Sequence, residues 1–290
     1  MNSLFCIGFG YCADALARRL APLGWRTGGT ARTAEAVQRL NAQGHHGVLF
    51  DGARPVDDMA AALAGATHLL ISAGPDAEGD PALRFHARDF VRASTLQWIG
   101  YLSTVGVYGD FQGAWVDEAT PPKPGSERTI RRLEAERAWL DFGAAHGRGV
   151  QVFRLAGIYG PGRSAIDDVA DGTARRIVKP GQVFNRIHVA DIAAVLEAAA
   201  GGRGRHALYN LADNEPAPPQ DLVAYAAALM GREPPPEIPF EDAPLSPMGR
   251  SFYSESRRVR NDRLRDDLGV VLAYPTYREG LAAILAARSR

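Results

Sequence analysis

At 290 residues, 46% hydrophobic and 23% charged, the chain can bury a substantial core as one large domain or two unequal ones. Its 33 basic residues balance 33 acidic ones, which argues against nucleic acid or an anionic membrane as the main partner, since both demand a basic excess. Two cysteines are too few for a disulfide framework. The amino terminus lacks a charged leader start, and no apolar run has membrane-spanning length, so a cytoplasmic protein with no membrane partner is expected.

The first half alternates short apolar runs with helix-period segments. Leu4 to Ile7 reads as a buried strand, followed by a turn at Gly8 to Ala13 and a helix with Leu16, Leu20 and Leu23 on one face. Gly24 ends that helix. Further strands are expected over Arg26 to Ala31, Gly47 to Asp51, His68 to Ser72, Trp98 to Ser103 and Val150 to Leu155. Between them, Leu83, Ala87, Phe90 and Val91 align on a helix, and Ser126 can cap another that runs through Leu133 and Leu140. This alternation predicts an α/β fold, a Rossmann-type doubly wound parallel sheet covered on both faces.

The second half changes character. Residues 158–185 are rich in Gly, Pro and polar groups with weak periodicity. A helix starts at His188, Ala207 to Leu211 is a short strand, and residues 213–290 hold two helical patterns around a proline-rich stretch. The division expected is a nucleotide-binding domain of residues 1–157 and 186–212, and a smaller, discontinuous α+β substrate domain of 158–185 and 213–290.

Gly8-Phe9-Gly10-Tyr11-Cys12-Ala13 is a Gly-x-Gly-x-x-Ala sequence between a strand and a helix, the context a dinucleotide pyrophosphate requires. Gly8 permits the tight turn, Gly10 lets the backbone approach the phosphates, and Ala13 lets helix and strand pack. The second strand ends in Ala31-Arg32, with no carboxylate to repel a 2′-phosphate and a guanidinium to pair with it. NADP is therefore expected, with NAD as the alternative. Asp51 is placed to meet the adenine, and Ser72, Ala73 and Gly74 end the fourth strand where cofactor and substrate would meet. No metal-ligand spacing occurs: His45-His46 is a lone pair on an expected loop.

Five further segments, in order, extend this reading. They are Ser103-Thr104-Val105-Gly106-Val107-Tyr108-Gly109, Arg154 to Gly162 with its Tyr159-Gly160-Pro161, His188-Val189-Ala190-Asp191, Tyr209-Asn210-Leu211, and Leu264 to Gly269. Together the sequence resembles the extended short-chain dehydrogenases/reductases over nearly its whole length. It is most similar to atypical bacterial members that are nucleoside-diphosphate-sugar epimerase-like. The resemblance implies an oxidoreductase or epimerase/dehydratase-like activity on a small polar or nucleotide-linked substrate. It implies Thr104 as the hydroxyl that bonds the substrate oxygen, Ser103, Tyr159 and His188 beside the substrate pocket, and a homodimer as a common assembly.

One departure stands out. The family's Tyr-x-x-x-Lys pair, general acid/base and ribose-binding lysine, falls by alignment on Arg128 and Arg132. The only lysines are Lys123 and Lys179, and Ala119 and Arg175 stand four residues before them, so no such pair exists in the chain. Arg132 can keep a binding role, but a guanidinium stays protonated and cannot replace the tyrosine. Two arginines four apart can clamp a phosphate or carboxylate, or can form surface ion pairs such as Arg132–Glu136. Tyr108 is a candidate substitute acid, as is Tyr159. The rival expectation is a protein that holds NADP(H) without turnover, as a redox sensor or regulatory partner.

Overall fold

The computed structural model describes residues 2–288. Its strands are Ser3–Ile7 (β1), Arg26–Ala31 (β2), His46–Leu49 (β3), His68–Ile71 (β4), Trp98–Thr104 (β5), Trp115–Val116 (β6) and Gly149–Leu155 (β7). Then come Gly157–Tyr159 (β8), Arg176–Val178 (β9), Arg186–His188 (β10), Leu208–Leu211 (β11), Glu237–Pro239 (β12) and Arg258–Val259 (β13). The α-helices are Tyr11–Leu20 (α1), Ala34–Ala42 (α2), Met59–Ala62 (α3), Pro81–Arg92 (α4), Glu127–His146 (α5) and Ala165–Ala170 (α6). They continue with Val189–Ala200 (α7), Pro219–Leu229 (α8), Pro247–Phe252 (α9), Asp262–Asp266 (α10) and Tyr277–Arg288 (α11).

Seven strands form one parallel sheet in the order β3-β2-β1-β4-β5-β7-β11. The direction of winding reverses between β1 and β4, which opens a crevice at their carboxyl ends. Both faces are covered. Leu4 and Cys6 of β1 pack with Leu16 and Leu20 of α1 and with Ile192 and Leu196 of α7. Phe5 and Ile7 point the other way, into a cluster with Phe90 and Trp139 from α4 and α5. This two-sided burial is why the strands read as continuous apolar runs.

Outside the sheet, β6–β13, β8–β10 and β9–β12 form short parallel pairs. A third apolar cluster joins Tyr159 and Ile166 to Ala226 of α8 and to Tyr277 and Leu281 of α11. A fourth gathers Ile177, Ala243 and Tyr253. Residues 158–185, weakly periodic in sequence, contain α6 and β9, each too short to show a period. After residue 213 there are four helices rather than the two expected, because α9 and α10 span only six and five residues. The fourth strand stops at Ile71, since Ser72 and Ala73 both donate to the Ile7 carbonyl at 2.9 Å and draw the chain out of the ladder. His45 and His46 are not a free loop pair: His46 opens β3, and His45 Nδ1 lies 2.7 Å from Thr27 Oγ1.

Candidate functional site

The crevice is built around the glycine turn. Gly8 has φ +89°, and a Cβ there would lie 2.9 Å from Ala73 N, so only glycine fits between β1 and the Ser72-Ala73-Gly74 segment. Gly8 N–H donates to Thr30 Oγ1 at 2.8 Å, and Phe9 N–H to Thr30 O at 2.7 Å, which ties the turn to β2. Gly10 is the N-cap of α1 and supplies no side-chain cap, so the first N–H groups of α1, at Tyr11, Cys12 and Ala13, are left for another acceptor. A Cβ on Gly10 would meet nothing within 4 Å. An uncapped helix start facing open space fits a pyrophosphate in size and in charge. Cys12 and Ala13 are buried, and burial pushes the Cys12 thiol up to about 11, so it stands as a neutral packing group.

The end of β2 lies beside the end of β3, with Phe50 N–H donating to Ala31 O at 2.9 Å. Arg32 is exposed and makes no hydrogen bond or ion pair among the described residues. Asp51, also exposed, accepts from Ala53 N–H at 2.9 Å and keeps its second oxygen open.

The two arginines of α5 diverge. Arg132 turns inward: its Nη1 donates to Tyr101 OH at 3.1 Å and to Leu102 O at 3.0 Å. Its Nη2 would stand 2.9 Å from a Cβ on Gly74, so the guanidinium reaches the carboxyl end of β4 in the crevice. Arg128 is exposed and sits over the Phe252 ring of α9 at 5.1 Å. The expected Arg132–Glu136 pair does not form. Glu136 is buried and takes Arg154 of β7 instead, with Nη2–Oε2 at 2.7 Å and Nε–Oε1 at 3.1 Å. Ser103 is buried too, and its hydroxyl donates to Glu136 Oε1.

Thr104 is half-buried at the end of β5, and its Oγ1 accepts from Gly106 N–H at 3.1 Å, leaving its own proton to donate. Tyr108 is wholly buried, with its hydroxyl donating to Asn210 Oδ1 at 2.8 Å and Arg154 over its ring at 4.8 Å. Tyr159 is 6% exposed, and its hydroxyl points at Thr276 O at 3.4 Å. Burial raises both phenols above their ordinary range. His188, 4% exposed, caps α7 by accepting from Ala190 N–H at 3.1 Å. Its ring is wedged between Tyr159 and Tyr274, at 5.1 and 4.0 Å, and burial lowers its pKa to about 4, so it is neutral. Both phenol hydroxyls and the capping His188 nitrogen are therefore aimed at protein groups.

Two features of the crevice escape the sequence reading. The Ser103–Glu136–Arg154 network joins β5, α5 and β7 beneath Thr104, and nothing in sequence spacing pairs residues 136 and 154. Arg163, directly after the Arg154 to Gly162 segment, sits on a turn that folds back to Tyr11. Among the described residues, no group of three or more His, Cys, Asp or Glu side chains is placed to hold a metal ion, and no helix is long and apolar enough to cross a membrane.

A parallel sheet whose order reverses beside a strand–glycine turn–helix is a Rossmann-type architecture, shared with solved structures of epimerase/dehydratase-like extended short-chain dehydrogenases/reductases. No protein-family model matches the chain. Protein YeeZ of Escherichia coli K12 is 30% identical over 294 residues, covering 95% of this chain and 97% of its own. A functionally unknown conserved protein from Silicibacter pomeroyi DSS is 48% identical, covers 100% of both chains and superposes with a TM-score of 0.89. UDP-glucose 4-epimerase of Thermotoga maritima, 16% identical over 100% of both chains, shares the fold with a TM-score of 0.79. The chain belongs to the family of Protein YeeZ, within the epimerase/dehydratase-like extended short-chain dehydrogenases/reductases.

Proposed function

We propose that this protein binds NADP(H) on the Gly8–Ala13 turn and presents it to a small polar, anionic or nucleotide-linked substrate at the carboxyl edge of the sheet. The observation that carries this reading is the uncapped start of α1 facing open space at Gly10, with unpaired Arg32 at the end of β2. Arg32 is assigned to the 2′-phosphate, Asp51 to the adenine side, and Ser72, Ala73, Gly74 and Arg132 to the nicotinamide ribose side. We further assign residues 1–157 and 186–212 to the nucleotide-binding unit, and 158–185 and 213–290 to the substrate unit. An apolar cluster drawn only from 158–185 and 213–290, from Tyr159 and Ile166 to Tyr277 and Leu281, supports that division, although Val259, Leu264, Leu268 and Val270 pack into the cluster beneath the sheet.

NADP(H) would supply a hydride. The residues in hand do the rest: Thr104 donates a hydrogen bond to a substrate oxygen, and Arg132 holds negative charge, with Arg128 exposed one turn earlier on α5. Neither arginine releases a proton at working pH. We assign Tyr108, Tyr159, Ser103 and His188 to packing and support, because their polar atoms are already taken up by protein groups. The activity that fits is hydride transfer by an oxidoreductase, or an epimerase-like reaction, in which the proton comes from solvent or from the substrate itself. A second reading, NADP(H) held without turnover as a redox sensor, is favoured by the same burial of both tyrosines.

Titrating NADPH and NADH while following protein fluorescence tests cofactor choice. Tighter NADPH binding supports the reading; equal or tighter NADH binding removes the role given to Arg32. Monitoring NADPH oxidation with keto-acids, sugar phosphates and nucleotide-sugars then separates enzyme from sensor. On the enzyme reading Thr104→Val lowers turnover without lowering NADPH affinity. No oxidation with any of them, and no epimerised product from the nucleotide-sugars with NADP bound, despite tight binding, selects the sensor.

A further inference from the structure

The loop that follows β8 folds back onto the glycine turn. Gly160 and Arg163 exchange backbone hydrogen bonds of 3.1 and 3.0 Å, closing a tight turn. Tyr11, the first residue of α1, donates its hydroxyl to the Pro161 carbonyl of that turn at 3.0 Å. A Cβ on Gly160 would stand 2.5 Å from the same hydroxyl, so the turn lies directly against the Tyr11 ring. Arg163 is carried at the end of this turn. Its side chain is exposed, with no hydrogen bond or ion pair among the described residues. Its charge is nonetheless felt at the start of α1, where burial raises Tyr11 and Cys12 and Arg163 opposes the rise.

We propose that Arg163 is the second wall of the pyrophosphate site, its guanidinium pairing with a phosphate oxygen of the dinucleotide while Tyr11 positions the turn that carries it. The inference rests on the reading that the Gly8–Ala13 turn holds a dinucleotide. The physical need is plain. A pyrophosphate brings two negative charges, whereas a helix start offers about half a positive charge and a few N–H donors. A guanidinium adds a full charge and a fork of donors matched to phosphate oxygens. The chain has no Lys or Arg within the turn itself, since residues 8–13 are Gly, Phe, Gly, Tyr, Cys and Ala. Any full positive charge beyond that of the helix start comes from elsewhere, and the 160–163 turn carries one.

The test measures binding rather than activity. Wild type, Arg163→Ala, Arg163→Lys, Tyr11→Phe and Arg32→Ala are titrated with NADPH, NADH and 2′-AMP, which has the 2′-phosphate but no pyrophosphate. Arg163→Ala is expected to weaken NADPH and NADH equally, about 10- to 100-fold, and to leave 2′-AMP unchanged. Arg163→Lys recovers part of the loss, and Tyr11→Phe weakens both dinucleotides by a smaller factor. Arg32→Ala gives the complementary pattern, weakening NADPH and 2′-AMP but not NADH. Because Arg163 is exposed and unpaired, its variants keep the thermal transition of wild type. If wild type binds dinucleotide and Arg163→Ala binds it equally well, the inference is overturned while the cofactor reading stands. If wild type binds neither NADPH nor NADH, both fall.

Discussion

The buried pair of Glu136 and Arg154 offers a quantitative test of the site's foundations. Glu136 is 3% exposed and Arg154 4%, and they are joined by Nε–Oε1, Nε–Oε2 and Nη2–Oε2 contacts of 3.1, 3.2 and 2.7 Å. Ser103 donates a further hydrogen bond to the carboxylate, and Arg154 Nη1 has no hydrogen-bond partner among the described residues. Glu136→Gln keeps the shape but leaves the guanidinium charge buried and uncompensated, which costs about 3–5 kcal/mol. Ser103→Ala removes one bond to a charged acceptor and costs about 1.5–3 kcal/mol. At about 2 °C per kcal/mol for a chain of this size, Glu136→Gln lowers Tm by roughly 6–10 °C. The double variant Glu136→Leu with Arg154→Leu removes both charges together and recovers most of that loss, since apolar replacements of buried pairs are often neutral. Urea denaturation followed by circular dichroism at neutral pH measures all four proteins. A Glu136→Gln unfolding free energy within about 1 kcal/mol of wild type, or a double variant as unstable as the single, would refute the mutual dependence of the pair's charges.

Three other outcomes follow from the same geometry. Gly8→Ala places a Cβ 2.9 Å from Ala73 N at φ +89°, so it lowers thermal stability and abolishes dinucleotide binding; unchanged NADPH affinity would show that the turn is not the binding element. Arg32→Asp puts a carboxylate where a 2′-phosphate would lie, and shifts preference from NADPH toward NADH by at least about tenfold, read by competitive titration. Two buried groups pull the pH dependence of stability in opposite directions. His188 is held neutral with its pKa lowered to about 4 by burial, so its share of stability is present above pH 6.5 and lost as pH falls toward 4. Asp213 is raised to about 7 by burial, so its share is present below pH 3.8 and lost as pH rises toward 7. Urea midpoints across pH 4–7 should therefore slope more steeply downward with rising pH in His188→Asn, and less so in Asp213→Asn; identical slopes in both variants would contradict the assignment.

The parts of this protein legible in sequence are those fixed by local signals. A strand, a Gly-x-Gly turn and a helix are consecutive, so their chemistry is visible in ten residues, and the alternation of apolar runs with helix-period segments carries the winding of the sheet. Side-chain direction is another matter. Spacing of four on α5 suggested Arg132 paired with Glu136, but the sheet beneath decides their partners. It brings Arg154 of β7 under Glu136, and Tyr101 and Leu102 of β5 under Arg132. Tyr108 and Tyr159 occur in segments that read as cleft walls, yet Asn210 and Thr276, 102 and 117 residues further along, take their hydroxyls. Arg163 becomes interpretable only when its turn is folded back to Tyr11; the bond from Tyr11 to Pro161 spans 150 residues.

If, as the family resemblance implies, Arg128 and Arg132 stand where the tyrosine and lysine would, the chemistry open to the site changes. A Tyr–Lys pair offers one charge and one transferable proton. Two arginines offer two fixed charges and no transferable proton at working pH. With Tyr108 and Tyr159 buried and bonded, Thr104 is the remaining candidate hydroxyl, and a threonine holds an oxygen without acidifying it. On the reading proposed above, the site is therefore rich in anion recognition and poor in acid–base catalysis. Any turnover would depend on a substrate that meets its own proton demand. Bell-shaped pH–rate profiles, the usual signature of a poised acid and base, should be absent. Affinity for anionic ligands should instead fall with added salt through the exposed Arg32, Arg128 and Arg163, and the salt dependence should lessen as each is replaced.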